Sequence, residues 1–110
     1  MSSWTLNIAR DFSRYPAGRY KTDGPYSGEY CRTKYIVPAL KKGDQLVIEL
    51  DGTLGYGSSF LEEAFGGLVR SEGLNAADLR SKVQLRSDDT SLVQEIWDYV
   101  DDAQQVKANS

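Results

Sequence analysis

The feature that most constrains the fold is an apolar run followed by a glycine-rich turn and an amphipathic segment. Residues 45–50 hold four aliphatic side chains between turn residues, which is typical of a central strand covered on both faces. Residues 51–57 contain three glycines, and apolar residues then recur at helical spacing from Ser58 or Ser59 onward. A strand, a turn and a helix in this order predict a unit of a parallel α/β sheet.

The rest of the chain repeats this alternation. Residues 4–9 alternate apolar and polar side chains as in a strand, and Ser27 is placed to cap a helix that runs to about residue 40, with Pro38 disturbing its last turn. A short helix over residues 76–82, a short strand over 83–85 and a final helix capped by Asp88 or Asp89 follow. The order strand, loop, helix, strand, helix, strand, helix favours a largely parallel sheet with helices against it.

Length and composition exclude several classes of protein. The chain has 110 residues, enough for one domain over residues 1–110, and it contains no histidine and one cysteine. Histidine-dependent triads, histidine-containing zinc sites and disulfides are therefore excluded, and we predict no catalytic residue, metal site or cofactor. No apolar run approaches the roughly 18 residues of a membrane span, and the first residues lack a secretory signal, so we expect a cytoplasmic protein without membrane contact.

Charge is distributed unevenly along the sequence. Residues 1–50 carry eight basic and five acidic side chains, whereas residues 51–110 carry five basic and eleven acidic ones. The formal net charge of −3 and the pI near 4.9 argue against binding of nucleic acid by the whole domain. The two halves are either solvated faces or, in the first half, a basic patch for an acidic or phosphorylated partner. Five tyrosines at positions 15, 20, 26, 30 and 35 lie among these basic residues and indicate either packing or a stacking surface.

The turn after the central strand is the most informative segment for function. Gly55, Gly57, Ser58 and Ser59 lie between a strand and a helix start, where backbone N–H groups suit an anion or a phosphoserine. The Gly-Lys-Ser/Thr of a Walker A loop is absent. The alternative is a tight turn in which the serines only cap the helix, with Ser59 and Glu62 at capping-box spacing.

Two acidic residues and one basic loop residue are further candidates. Glu62 and Glu63 complement the helix dipole or, with Asp51, form a carboxylate cluster for acid/base work or a divalent ion, and we favour the first interpretation. Residues 11–25 form a long irregular segment with a short strand expected near residues 19–22, and Arg19 is its candidate functional cation.

Three patches of the sequence resemble one known family. Gly57-Ser58-Ser59-Phe60 and the residues up to Leu68, together with the Pro16–Arg19 loop and Ser27-Gly28-Glu29, resemble the bacterial STAS-like domain family of uncharacterised function. That family is related to the STAS domains of sulphate transporters and anti-sigma-factor antagonists. The resemblance implies a small mixed, largely parallel sheet of about four strands with three to four helices. It also implies protein–protein switching, with Ser58 at the position of the antagonists' phosphoacceptor serine.

These observations lead to one preferred functional hypothesis and two alternatives. We expect a non-enzymatic regulatory or adaptor domain that binds a partner protein, such as an ATPase-like kinase, and is switched by phosphorylation or anion binding at the Gly-Ser-Ser turn. The alternatives are a nucleotide- or phosphate-binding protein or enzyme using the same turn, and a phage or mobile-element inhibitor of a host complex. The sequence also allows a homodimer. The predicted binding residues are Arg19, Ser27, Gly28, Glu29, Gly55, Gly57, Ser58, Ser59, Glu62 and Glu63.

Overall fold

Three parallel strands form the sheet in the computed structural model, which describes residues 2–109. Strand β1 is Ser3–Asn7, β2 is Gln45–Glu49 and β3 is Val83–Arg86. Their order in the sheet is β1-β2-β3, with Leu6 opposite Ile48 and Ile48 opposite Leu85. The apolar run predicted to be the central strand is therefore central, since it pairs with a neighbour on each side.

Four helices connect and follow the strands. Helix α1 covers residues 28–40 and α2 covers residues 58–70, each consisting of an α-helical turn, a π-helical turn and a second α-helical turn. Helix α3 is Ala76–Lys82 and α4 is Thr90–Ala108. Two short turns lie between β1 and α1, a π-helical one at Ile8–Phe12 and a 3₁₀ one at Lys21–Asp23. The predicted alternation of strands and helices is confirmed.

Side-chain caps fix most of the helix starts. The Ser27 hydroxyl accepts a hydrogen bond from the Tyr30 N–H at the start of α1, and the Asp89 carboxylate accepts from two N–H groups at the start of α4, so both predicted caps are confirmed. The capping box predicted for Ser59 and Glu62 is wrong. Gly57 is the N-cap of α2 and contributes no side chain, and the Glu62 carboxylate is turned toward arginines instead.

Pro38 does not end helix α1. The helix continues to Leu40, and its irregularity precedes the proline, as a π-helical turn over Arg32–Ile36 in which the Val37 N–H bonds to the Arg32 carbonyl. A proline has no N–H to donate and its ring crowds the carbonyl four residues earlier. The wider turn accommodates this defect, and the helix bonding resumes after it.

The sheet buries only one of its faces. Leu46, Ile48 and Leu50 are almost completely buried, whereas Gln45 is exposed and Val47 is half-buried. The expectation that β2 is covered on both faces is therefore wrong. Because successive right-handed crossovers step in the same direction across the sheet, their helices lie on the same face. Ile96 and Val100 of α4 belong to the same core, with Leu92, Val93 and Trp97 partly buried beside it.

The predicted α/β fold class is confirmed, with a smaller sheet than expected. Among residues 2–109 there are three strands rather than about four, and all pairings are parallel. The short strand expected near residues 19–22 is a 3₁₀ turn, because the Asp23 carboxylate binds the Arg19 and Tyr20 N–H groups and closes the chain on itself. Within the same residues, no helix combines the length and apolarity needed to cross a bilayer.

Candidate functional site

The carboxyl end of the sheet brings together two segments that are distant in sequence. The turn after β2 pairs with the loop after β1 through a 2.9 Å hydrogen bond from the Leu54 N–H to the Arg14 carbonyl. Within that turn, the Tyr56 hydroxyl donates to the Leu50 carbonyl at 2.6 Å, and burial raises the pKa of Tyr56. The Tyr56 ring also lies 5.9 Å from the Phe60 ring, so the turn is anchored on the core at this end.

The loop over residues 16–26 is fastened to the start of α1. The Gly28 N–H donates to the Gly18 carbonyl and the Glu29 N–H donates to the Arg19 carbonyl, both at 2.9 Å. The Glu29 carboxylate accepts from the Lys21 N–H at 2.8 Å. The predicted loop and the predicted helix start therefore lie side by side, and the free N–H groups of the helix are occupied by loop carbonyls rather than open to a ligand.

Gly28 allows helix α1 to approach helix α2 closely. A Cβ atom at this position would lie 2.4 Å from the Phe60 carbonyl oxygen and 3.0 Å from the Ala64 nitrogen. Gly28 and Ser27 are both buried. Their role is to join the two helices, so neither presents a side chain to a partner.

Arg19 is held by the acidic residues of α2. Its guanidinium donates a short hydrogen bond to Glu62 and lies 3.5 Å from Glu63, while Arg70 binds the other oxygen of Glu62 at 2.6 Å. Burial alone would raise the pKa of Glu62, but the hydrogen bonds from Arg70 and Arg19 outweigh it and lower that pKa. The candidate cation is therefore engaged within the molecule and is not an open anion site.

A buried arginine that the sequence analysis missed completes this cluster. Arg32 is 4% exposed, and its Nη1 binds the Glu63 carboxylate at 2.6 Å and the Glu63 carbonyl at 2.7 Å. Its Nε binds Glu72 at 2.9 Å. Space for the guanidinium comes from Gly67, where a Cβ would lie 2.2 Å from Nη1. The glycine pair inside an otherwise amphipathic helix was the available signal. Gly67 accommodates the Arg32 side chain, and a Cβ at Gly66 would lie 3.3 Å from the Tyr99 carbonyl oxygen of α4.

Glu62 and Glu63 are therefore network residues rather than an open acidic patch. Glu63 is 4% exposed and faces Arg32. Asp51 lies apart from both and accepts from the Ser87 hydroxyl at 2.6 Å and the Asp88 N–H at 2.9 Å, bonds that lower the Asp51 pKa. Residues 2–109 contain no cluster of acidic or cysteine side chains suited to a metal ion. Cys31 is fully buried in α1.

The exposed part of this edge consists of serines and large apolar side chains. Ser58 and Ser59 are exposed in the first turn of α2, next to Gly55 and Gly57, around which a Cβ would meet nothing within 4 Å. Leu54 is 74% exposed, Tyr15 is 59% exposed and Tyr26 is 46% exposed. We call the set Tyr15, Tyr26, Leu54, Ser58 and Ser59 the carboxyl-edge surface.

A shallow cleft of about 310 Å³ lies beside this surface, between the turn after β2 and the start of α4. Its lining includes the carboxylates of Asp51, Asp89 and Glu95 and no basic side chain. Such a lining opposes a phosphate group, because like charges repel at short range.

Comparison with known proteins identifies the family. The model of the family described as "STAS-like domain of unknown function (DUF4325)" matches residues 27–91, which is more than half of the chain. No curated protein and no solved structure is significantly similar to the chain. The matched residues begin at the Ser27 cap of α1, include β2, the glycine-rich turn, α2, α3 and β3, and end in the first turn of α4. The chain therefore belongs to the family of STAS-like domains of unknown function.

Proposed function

We propose that this domain is a regulatory module that docks on a partner protein through its carboxyl-edge surface. The observation that carries the proposal is the exposure of Leu54, Tyr15 and Tyr26 on neighbouring loops at one end of the sheet. Exposed apolar clusters of this kind mark interaction sites, and tyrosine is enriched in protein interfaces.

The support behind this surface favours binding without rearrangement. The Leu54 N–H is bonded to Arg14, the Tyr26 ring packs edge-on against Phe12 at 6.1 Å, and the loop is fastened to α1 by backbone hydrogen bonds. A surface that is already ordered loses little conformational freedom on binding, so more of the contact energy contributes to affinity.

Ser58 gives this surface a switch. A phosphate on its hydroxyl would add a charge of about −1.5 to −2 at the positive end of α2. The nearest helix acids, Glu62 and Glu63, are bound by Arg19, Arg32 and Arg70, so their repulsion of the phosphate is reduced. Modification would thus change a neutral apolar surface into an anionic one and alter its choice of partner. A kinase of the ATPase-like type that the family resemblance implies would be the enzyme for this step.

The test is co-purification of the tagged protein from its native host, with bound proteins quantified by mass spectrometry. We expect at least one partner to be retained by the wild type and lost from Leu54→Asp. Ser58→Glu should alter the same partner, and Ser58→Ala should retain it. The matched control is Ala77→Asp, which adds the same charge to an exposed position in the first turn of α3 and should retain the partner.

Two results would overturn the proposal. One is a partner profile in which Leu54→Asp and Ser58→Glu match the wild type. The other is loss of the partner from Leu54→Asp and Ala77→Asp alike, because this would mean that added charge, and not its location, determines binding.

A further inference from the structure

Strand β1 is an edge strand with an unpaired outer side. It pairs with β2 on one side, and no strand within residues 2–109 lies on the other. The Gln45 N–H bonds to the Ser2 carbonyl, and this register turns the backbone groups of Trp4 and Leu6 toward β2. Those of Ser3 and Thr5 therefore point away from the sheet. The Asp11 carboxylate binds the Asn7 N–H at 2.9 Å and closes the far end of this edge.

A groove of about 450 Å³ runs beside this edge, between β1 and α1. Trp4, Leu6 and Tyr35 contribute its aromatic and aliphatic lining, together with Pro38 and Ala39. Trp4 is 45% exposed, although it lies on the helix-facing side of the sheet, where the other β1 side chain, Leu6, is buried. The apolar layer between β1 and α1 is thus left open along this edge.

Unpaired positive charge lines the groove. Lys34 and Lys42 form no ion pair with any carboxylate of residues 2–109, and the Lys42 ammonium lies 4.7 Å from the centre of the Trp4 ring. Arg10 also lines the groove and is paired with Asp11, the acidic residue in the lining. The charge of the lining is therefore positive overall, in a molecule whose formal net charge is −3.

We propose that the groove between β1 and α1 binds an extended acidic peptide segment of another protein, which adds to β1 as a further strand. The outward N–H and C=O groups of Ser3 and Thr5 would bond to its backbone, as in strand addition to a sheet edge. Alternate side chains of such a strand lie on the helix side of the sheet, beside Trp4 and Tyr35. Acidic side chains of the peptide would meet Lys34 and Lys42.

The observations favour a peptide over a nucleic acid. An exposed strand edge presents backbone donors and acceptors at the spacing of another strand, which a nucleic acid cannot match. A site for a nucleic acid would also need a larger cluster of cations than three side chains within a negatively charged domain. This groove shares no residue with the carboxyl-edge surface, so the inference stands independently of the proposed function.

The test measures fluorescence anisotropy of an array of labelled peptides, each about eight residues long. Each peptide alternates an acidic residue, Glu or Asp, with an apolar residue, Val, Ile or Phe. Matched peptides with Lys in place of the acids serve as controls. We expect acidic members of the array to bind with dissociation constants on the order of 10–100 µM at low salt and to weaken as salt is added. Amide hydrogen exchange at Ser3 and Thr5 should slow when such a peptide is bound.

Charge-reversal variants locate the site. The double variant Lys34→Glu with Lys42→Glu should weaken peptide binding by about tenfold or more. Its matched control is Lys41→Glu with Lys82→Glu, which changes two lysines that line a different groove between α1 and α3. The dissociation constant of this control for the peptide should stay within about twofold of the wild-type value. Thr5→Pro, which removes an outward N–H without affecting a bond to β2, should lose binding while thermal unfolding remains cooperative.

Several outcomes would overturn the inference. These are acidic and basic peptides that bind equally, two double variants that weaken binding equally, or unchanged exchange at Ser3 and Thr5 in the presence of bound peptide. Absence of binding by every acidic peptide at about 1 mM would do the same. Tighter binding of a single-stranded oligonucleotide that Lys34→Glu with Lys42→Glu abolishes would assign the groove to a nucleic acid instead.

Discussion

Arg32 shows how strongly one side chain can join two helices. Its guanidinium lies between α1 and α2, where Glu63 and Glu72 bind it and a glycine provides the space. Buried charges are costly to remove from water, and they are tolerated when every donor finds an acceptor. Position 32 reads as polar in the sequence, and nothing local distinguishes an exposed arginine from a buried one. This is why the network could not be predicted residue by residue.

Removing Arg32 should therefore destabilise the protein severely. We expect Arg32→Ala to lower the free energy of unfolding by about 3–5 kcal/mol, because the buried Glu63 loses its closest ion pair and keeps only the longer contacts with Arg19 and Arg70. Arg86→Ala, which breaks a half-exposed pair with Glu49, should cost less than about 1 kcal/mol. Urea unfolding followed by circular dichroism measures both. Equal losses in the two variants would show that Arg32 is no more than a surface charge.

Glu62 makes stability depend on pH in a defined direction. Its pKa in the folded protein is lowered from 4.5, so its contribution is fully present above that value and is lost as pH falls through the folded pKa. We expect Glu62→Gln to be less stable than the wild type near neutral pH. The difference between the two should shrink below about pH 4, as measured by chemical unfolding at a series of pH values. A difference that stays constant or grows in acid would contradict the arginine pairing.

At the level of elements, the contact between α1 and α2 holds the site together. The Pro16–Arg19 loop is bonded to the start of α1, and the start of α1 packs on the first turns of α2, which carry Ser58. Gly28 sits at this contact. A side chain there would separate the two helices and move the loop with them.

Gly28→Ala should thus be destabilising, although alanine is the better helix former. We expect a net loss of about 1–3 kcal/mol in the free energy of unfolding. The clash with the Phe60 carbonyl outweighs the gain of about 1 kcal/mol that alanine brings as the better helix former. Gly57→Ala is the matched control, because its φ of −74° suits alanine and a Cβ there meets nothing within 4 Å. Its change should stay below about 1 kcal/mol in the same thermal or urea unfolding measurement. A neutral Gly28→Ala would mean that the helices separate freely.

The elements themselves were largely predictable, since they depend on local patterns. The structure confirms the strand predicted before Ala9 and the central strand β2. It also confirms the helix caps at Ser27 and Asp89. The errors concern partners distant in sequence. Glu62 was expected to cap its own helix, but arginines 43 residues earlier and eight residues later bind it.

On the scale of the whole molecule, the sheet has one covered face, and within residues 2–109 no strand pairs with the outer side of β1 or β3. Parallel sheets are usually covered on both faces, and the apolar run of β2 suggested the same here. Only the strand order shows otherwise, because an order of β1-β2-β3 places successive helices on one side. The sequence pattern cannot supply strand order, and this is why both the uncovered face and the free edge of β1 appear only in the structure.

The molecule therefore presents two separate surfaces, the carboxyl-edge surface and the groove along β1. The first carries the proposed function, and its location can be measured directly. Once a partner has been recovered from the host, amide hydrogen exchange followed by mass spectrometry compares the free domain with the complex. We predict slowed exchange in residues 13–26 and 51–60. Slowed exchange confined to other residues, with these two segments unchanged, would contradict the account.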